Sequence, residues 1–386
     1  MKTVYLDNNA TTRVAPEVVE EMLPYFSDYY GNPSSMHYFG GQVEKKVVEA
    51  REKVAQLLNC DPAEIIFTSC GTESDSTALR GTLGSYPDKK HIVTSRVEHP
   101  AVLNLVRHLS KNSYDAAELP VDRKGRLTLA DLEQSVTDTT AIVSIMYANN
   151  ETGVVFPIEE IGQIVKNRGS VFHTDAVQAV GKIPLDMKKS TIDLLSLSGH
   201  KLHAPKGIGA LYVRKGTKLT PFIIGGHQER GRRAGTENVP YIIGLGKAAE
   251  LARLHIEDEN TRIRAMRDRL EAELIKRCPD VQVNGDQTHR LPNTTNLSFE
   301  YVEGESILLL LSAQGIAASS GSACTSGSLE PSHVLRAMGV PFTYVHGSLR
   351  LSLSFYTTDE DIDFTIANLP PIIKRLREIS PFGRSR

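Results

Sequence analysis

The sequence predicts an α/β fold in two lobes, a large one built on a mostly parallel sheet and a smaller α+β one. Short apolar runs recur, each followed by a polar or glycine-bearing turn and then a helical pattern. The runs are mostly apolar rather than strictly alternating, which suits strands covered on both faces. Around Pro240 this rhythm stops, and a charged, mostly helical segment over 241–277 leads out of the first lobe. A chain of 386 residues has room for both lobes.

The opening MKTVYLDNNATT reads as an extended arm and turn. Val43, Val47, Ala50, Val54, Leu57 and Leu58 recur at three- and four-residue steps and predict a helix over 42–58. The runs 65–67, 91–93, 141–146, 171–173, 194–197 and 209–213 are candidate strands of the large sheet. In the second lobe, 281–283, 296–299 and 349–354 are candidate strands between helices. The expected division is 13–257 for the large lobe, with 1–12 and 258–386 forming the small one, which carries a mobile Ser/Gly-rich loop at 318–330.

Composition excludes several classes. Hydrophobic residues make up 40% and charged ones 23%, as in soluble globular proteins. A net charge of -2 gives no general attraction to nucleic acid or to an anionic membrane, so neither is implied as a partner. No signal-peptide apolar core is present, and runs such as 307–311 are too short to span a bilayer; a cytoplasmic enzyme is expected. The four cysteines, 60, 70, 278 and 324, form no CxxC pair and imply neither a disulfide framework nor a metal site. With no GxxxxGK, and no GxGxxG after a strand, nucleotide binding is disfavoured.

The polar turns carry the chemistry. SGHK ends an apolar run with Ser198, His200 and Lys201. A lysine there must reach water, pair with an anion or lose its proton, and a neutral amine can form a Schiff base with an aldehyde cofactor. A surface lysine at a turn is the plainer alternative. Asp175, in HTDAVQ, can hold a protonated pyridine nitrogen and keep the ring electron-poor. Gln178, three residues on, can face the same ligand; an N-cap Asp beside a solvated Gln is the alternative. Gly71 and Thr72, in SCGTESD, suit a helix start whose free N–H groups and hydroxyl cradle a phosphate, or a plain cap. His99 precedes Pro100, where an imidazole can stack on an aromatic ring and move protons, or serve structure alone. Asn150 can donate to a carboxylate or a ring hydroxyl, and Arg350 can clamp an α-carboxylate with two hydrogen bonds or form a salt bridge. Cys324 sits among Ser, Gly, Ala and Thr, unlike a cysteine in a core. An exposed thiolate on such a loop can attack sulfur and carry it, or be only a free surface thiol.

In order along the chain, YLDNNATT, YGNPSS, TSCGTESD, VEHPAVL, NNETG, HTDAVQ, SGHKLHAPKGIG, RRAGTEN and SSGSACTSGSLEPSHVL together resemble the cysteine desulfurases. These are pyridoxal-phosphate enzymes of the class V aminotransferase family. GGHQERGRRAGTEN and SSGSACTSGS are similar to the nitrogen-fixation-type, NifS-like branch. The resemblance implies fold type I, the aspartate-aminotransferase superfold, with a mostly parallel seven-stranded sheet. It implies that Lys201 holds pyridoxal 5'-phosphate and moves protons at Cα, with His99 stacked on the ring as acid or base. Asp175 then pairs with the ring nitrogen and Gln178 with the ring hydroxyl. Gly71, Thr72, Ser198 and His200 hold the phosphate, and Thr236 reaches the phosphate of the neighbouring subunit of a homodimer. Asn150 and Arg350 bind the carboxylate of L-cysteine. Cys324 takes the sulfur for an iron–sulfur scaffold protein, NifU-like or IscU-like; no metal ligands are implied beyond contact of Cys324 with a transferred cluster. The pathway implied is nitrogenase maturation. The rivals are general iron–sulfur supply, tRNA thiolation and a selenocysteine lyase, while a non-catalytic scaffold fits poorly with polar residues at so many strand ends. Phe355 stands where the family pattern leads one to expect an arginine.

Overall fold

The computed structural model describes residues 3–320 and 330–380. In chain order the strands are β1 (Val4–Tyr5), β2 (Ile65–Thr68), β3 (His91–Ser95), β4 (Asp115–Leu119), β5 (Thr140–Ser144) and β6 (Val171–Asp175), followed by β7 (Leu194–Ser198), β8 (Gly209–Val213), β9 (Val281–Val283), β10 (Thr294–Phe299), β11 (Ile316–Ala317) and β12 (Ser348–Ser352). Seven of them form one sheet in the order β2-β8-β7-β6-β5-β3-β4. Its pairs are parallel except those of β8, which runs against both neighbours. Every residue of β2, β5, β6, β7 and β8 is buried, which is why those strands read as mainly apolar runs without charged alternation. The strand that the apolar runs do not predict is β4, DAAEL, an edge strand whose first residues are exposed.

Two layers of helix cover the sheet. Tyr38–Leu58 packs its predicted stripe against Val239–Asp258 on one face, and a Cβ on Gly246 would stand 2.7 Å from Ala50 Cβ, so glycine permits that close approach. The helix starts before the predicted 42 because His37 caps it, accepting from Gly40 N, and it stops at Asn59, which adopts a left-handed φ of 49°. Gly71–Ser85 and Pro100–Ser110 cover the other face.

Past Pro240, in the first turn of its helix, Val239–Asp258 runs through a π turn at Glu259–Ile263 into Arg264–Arg277. There a separate apolar cluster begins. It joins Ile263, Leu270, Leu297, Phe299, Leu351 and Ile366 to Val4 and Leu6 of the arm. The arm is held by distant chain: Val4 pairs with Ile316, Asp7 bridges Ser352, and Thr12 N donates to the His200 carbonyl at 2.9 Å. No described helix is long and apolar enough to cross a membrane.

Candidate active site

Leaving β3, the chain steps outward to β4 and then returns to lay β5 on the other side of β3. Connections diverge at such a reversal and leave a crevice beyond the carboxyl ends of the strands. A cavity of about 360 Å³ lies there. It gathers Gly71 and Thr72 after β2, His99 after β3, Asn150 after β5, Asp175 and Gln178 at and after β6, Ser198, His200 and Lys201 at and after β7, and Arg350 from β12. Thr236 lines a neighbouring cavity of about 240 Å³ with Ser69, Glu229 and Arg233. Cys324 lies outside the described residues.

Local structure explains each position. The helix Gly71–Ser85 begins at Cys70 with no side-chain cap, so its first N–H groups are left to the cavity. A Cβ on Gly71 would come within 3.0 Å of Val177 Cγ2. The hydroxyl of Thr72, Ser198 and the His200 ring stand around the same end, a donor set suited to a phosphate. Burial takes the His200 pKa down to about 4, Lys201 adding to it, so the ring is neutral.

Lys201 Nζ donates to the carbonyls of Asn9 and Ala10, at 2.5 and 2.6 Å. Asp175 is buried, and burial raises its pKa although His99 pulls the other way. Its Oδ1 accepts from Val177 N at 2.9 Å. His99 caps the helix Pro100–Ser110, its Nδ1 accepting from Ala101 N at 3.1 Å. Burial lowers the His99 pKa, so the ring is neutral and carries its proton on Nε2, as a donor.

Arg350 is only 2% exposed. Nη1 donates to the Asn150 carbonyl at 3.0 Å and Nη2 to Asp7 Oδ1 at 2.7 Å, while Nε has no partner among the described residues. The backbone of Arg350 also pairs with Ser319, and Ser348 Oγ donates to the Ser320 carbonyl at 3.1 Å. Farther along, Ser332 Oγ donates to Glu151 Oε2 at 2.5 Å, and the His333 ring meets the Glu98 carbonyl at 3.0 Å. Ser319, Ser320, Ser332 and His333 are thus each tied to residues that line or border the cavity.

Phe355 stacks on His255 with centroids 4.2 Å apart and leans on His203 at 4.4 Å, filling its place with aromatic packing. Of the other cysteines, Cys70 lines the cavity, while burial pushes Cys278 up to about 11 and Cys60 up to about 12, which keeps both as thiols.

Sequence reasoning missed a set of buried polar residues. Asp75 lines the cavity, its Oδ1 without a hydrogen bond among the described residues but 3.6 Å from His173 Nε2, and burial raises its pKa well above normal. Glu98, Glu151 and Lys182 are buried close by. Asn9 bonds to Lys182, Lys201, Gln178 and Thr294. Asn9 and Asp75 fall inside quoted motifs, but their partners lie too far along the chain for spacing to reveal.

Residues 4–364 match the family model described as aminotransferase class-V. The chain belongs to that family of pyridoxal-phosphate enzymes, and within it to the NifS-like cysteine desulfurases. It is 64% identical over 382 residues to a cysteine desulfurase of Trichormus azollae, across 99% of this chain and 96% of that one. It is 58% identical over 383 residues to the cysteine desulfurase NifS of Azotobacter vinelandii, across 99% and 95%. A solved NifS-like protein superposes with a TM-score of 0.91 at 39% identity, over 97% of this chain and 100% of that one. For SspA in complex with cysteine the TM-score is 0.81 at 36% identity, over 92% and 100%. The predicted superfold and its mostly parallel seven-stranded sheet are both found. The activity is cysteine desulfuration with pyridoxal phosphate as cofactor, in the service of iron–sulfur assembly.

Proposed function

We propose that the cavity beyond β3 and β5 is the site of that reaction, and that the sulfur passes to Cys324. The supporting observation is the convergence of an uncapped helix N-terminus, the Asp175 carboxylate and the Lys201 amine in one cavity. These are the three functions that pyridoxal phosphate needs, for its phosphate, ring nitrogen and aldehyde. Thr72, Ser198 and His200 would hold the phosphate with the backbone of Gly71, Asp175 would pair with the ring nitrogen, Gln178 with the ring hydroxyl and Lys201 with the aldehyde. When bound, the cofactor supplies an electron sink for charge developing at the substrate Cα.

Around that group the chain's own residues do the rest. Arg350, with its unpaired Nε, and Asn150 bind the cysteine carboxylate and fix Cα toward Lys201. Lys201 removes the Cα proton, and neutral His99, lining the same cavity, serves as a proton donor. The Cys324 thiolate attacks the substrate sulfur; an S–S bond forms, the Cβ–S bond breaks, and its electron pair stays with carbon. Protons returned to carbon release alanine and leave a persulfide. Cys324 is four residues beyond Ser320, a chain length of up to about 13 Å, and the preceding Ser319 pairs with the Arg350 backbone.

Thr236, outside the main cavity, serves the phosphate of a second subunit in a homodimer. Exposed Phe26, Tyr30, Met36, Tyr38 and Ile224 give such a dimer an apolar surface to cover. The small lobe is 1–12 with 258–386, the acceptor is a scaffold protein of the NifU or IscU kind, the pathway is nitrogenase maturation, and the compartment is the cytoplasm. Cys324→Ala tests the central assignment. The variant is expected to keep its cofactor absorption band and to bind cysteine, while no peptide becomes one sulfur atom heavier. Undiminished alanine production by that variant would remove Cys324 from the reaction.

A further inference from the structure

One amine behind the cavity has no part in the scheme above. Lys182 is buried, and its Nζ donates to Gln178 Oε1 at 2.8 Å and Asn9 Oδ1 at 3.2 Å. Neither amide can be turned round. Gln178 Nε2 donates to the Asn9 carbonyl at 2.9 Å, and Asn9 Nδ2 to the Asn150 carbonyl at 3.2 Å. A carbonyl only accepts, so each NH2 must face it and each amide oxygen must face Lys182. Lys201 holds the carbonyl of the same Asn9. The two lysines therefore grip two oxygens of one residue.

Glu259 supplies a counter-charge. It is buried in the π turn, its Oε2 has no partner among the described residues, and its pKa is raised to about 7, by burial first. With Lys182, Lys201, His203 and His255 it lines a cavity of about 20 Å³, room for one water. Burial brings the Lys182 pKa down to about 7; Glu259 opposes this, and Lys201 and Arg350 add to it. His203 is held neutral, its pKa taken down to about 4 by burial.

We propose that Lys182 is a positioning residue of the desulfuration site: its amine locks the Gln178 amide with the second N–H left to the cavity, and in its protonated form it lowers the proton affinity of Lys201 across Asn9. The proposal rests on the reading of Lys201 as the amine that bears the cofactor. It gives Lys182 an electrostatic task, which separates it from a residue that merely fills space.

The test is a pH titration of the cofactor absorption band in the full-length holoenzyme. Lys182→Met removes the cation and is expected to raise the midpoint by about one pH unit. Lys182→Arg keeps the cation and is expected to keep the wild-type midpoint. A folded, cofactor-loaded Lys182→Met protein with an unchanged midpoint overturns the proposal. So does a Lys182→Arg protein whose midpoint rises. If the Met variant does not fold, Lys182→Gln is read the same way. Wild-type protein that gains no absorption band from added pyridoxal phosphate would strike the reading of Lys201 instead.

Discussion

Glu98 is expected to make this protein lose stability as pH rises from about 5 to about 8. Its carboxyl is fully buried next to His99. Oε1 accepts from Ser95 Oγ at 2.6 Å and Met146 N at 3.0 Å, but Oε2 has no partner among the described residues. Burial raises its pKa from the ordinary 4.5 to about 8, the two hydrogen bonds opposing that rise and Asp175 adding to it. Between those values the unfolded chain has released the proton and the folded chain retains it. Stability therefore falls with pH through this window, by up to about 1.4 kcal/mol per unit, or roughly 4 kcal/mol in all. Glu98→Gln keeps an oxygen for Ser95 and Met146 and cannot ionise. Urea unfolding of both proteins at several pH values isolates the effect, because every other titrating group is common to both. The variant is expected to gain on wild type steadily from about pH 5 to pH 8. Two stability curves that run parallel would refute the reasoning.

Two further outcomes follow from the site. Arg350→Lys replaces a fork that spans Asp7 and the Asn150 carbonyl by a single point charge; KM for cysteine is expected to rise about 10- to 100-fold in steady-state alanine formation, and an unchanged KM would contradict carboxylate binding there. Ser332→Ala removes the bond to Glu151 and the cap on the helix His333–Ala337; amide exchange over 330–338 is expected to quicken at least about tenfold, the equivalent of a lost cap, and unaltered protection would show that Ser332 does not pin this flank.

Much of this architecture is legible in the sequence for a definite reason. Strands such as β6 and β7 are buried on both faces, so their apolar residues, Val171 and Phe172 in one and Leu194, Leu195 and Leu197 in the other, stand out without a solvent-facing alternation of charges. Edge strand β4 has a solvent side, and Asp115 and Glu118 hide it. Lys201, Asp175 and His99 are legible because chemistry places them at strand ends, where a polar residue interrupts an apolar run. Lys182, Glu98 and Asp75 are not, since a buried polar side chain is defined by its partners. Those of Lys182 include Asn9, at the far end of the arm, and no local pattern connects them.

The arm that brings Asn9 into the site has a consequence for biosynthesis. Val4 needs Ile316, and Asn9 N needs the Ser352 hydroxyl. Val4 and Asn9 thus wait for strands made more than 300 residues later before they can settle. A nascent chain can complete the large sheet early, yet the amine at Lys201 lacks its carbonyl ligands until residues beyond 350 have left the ribosome. Competence for sulfur chemistry therefore waits on the second lobe, long after the strands that present the amine have been made.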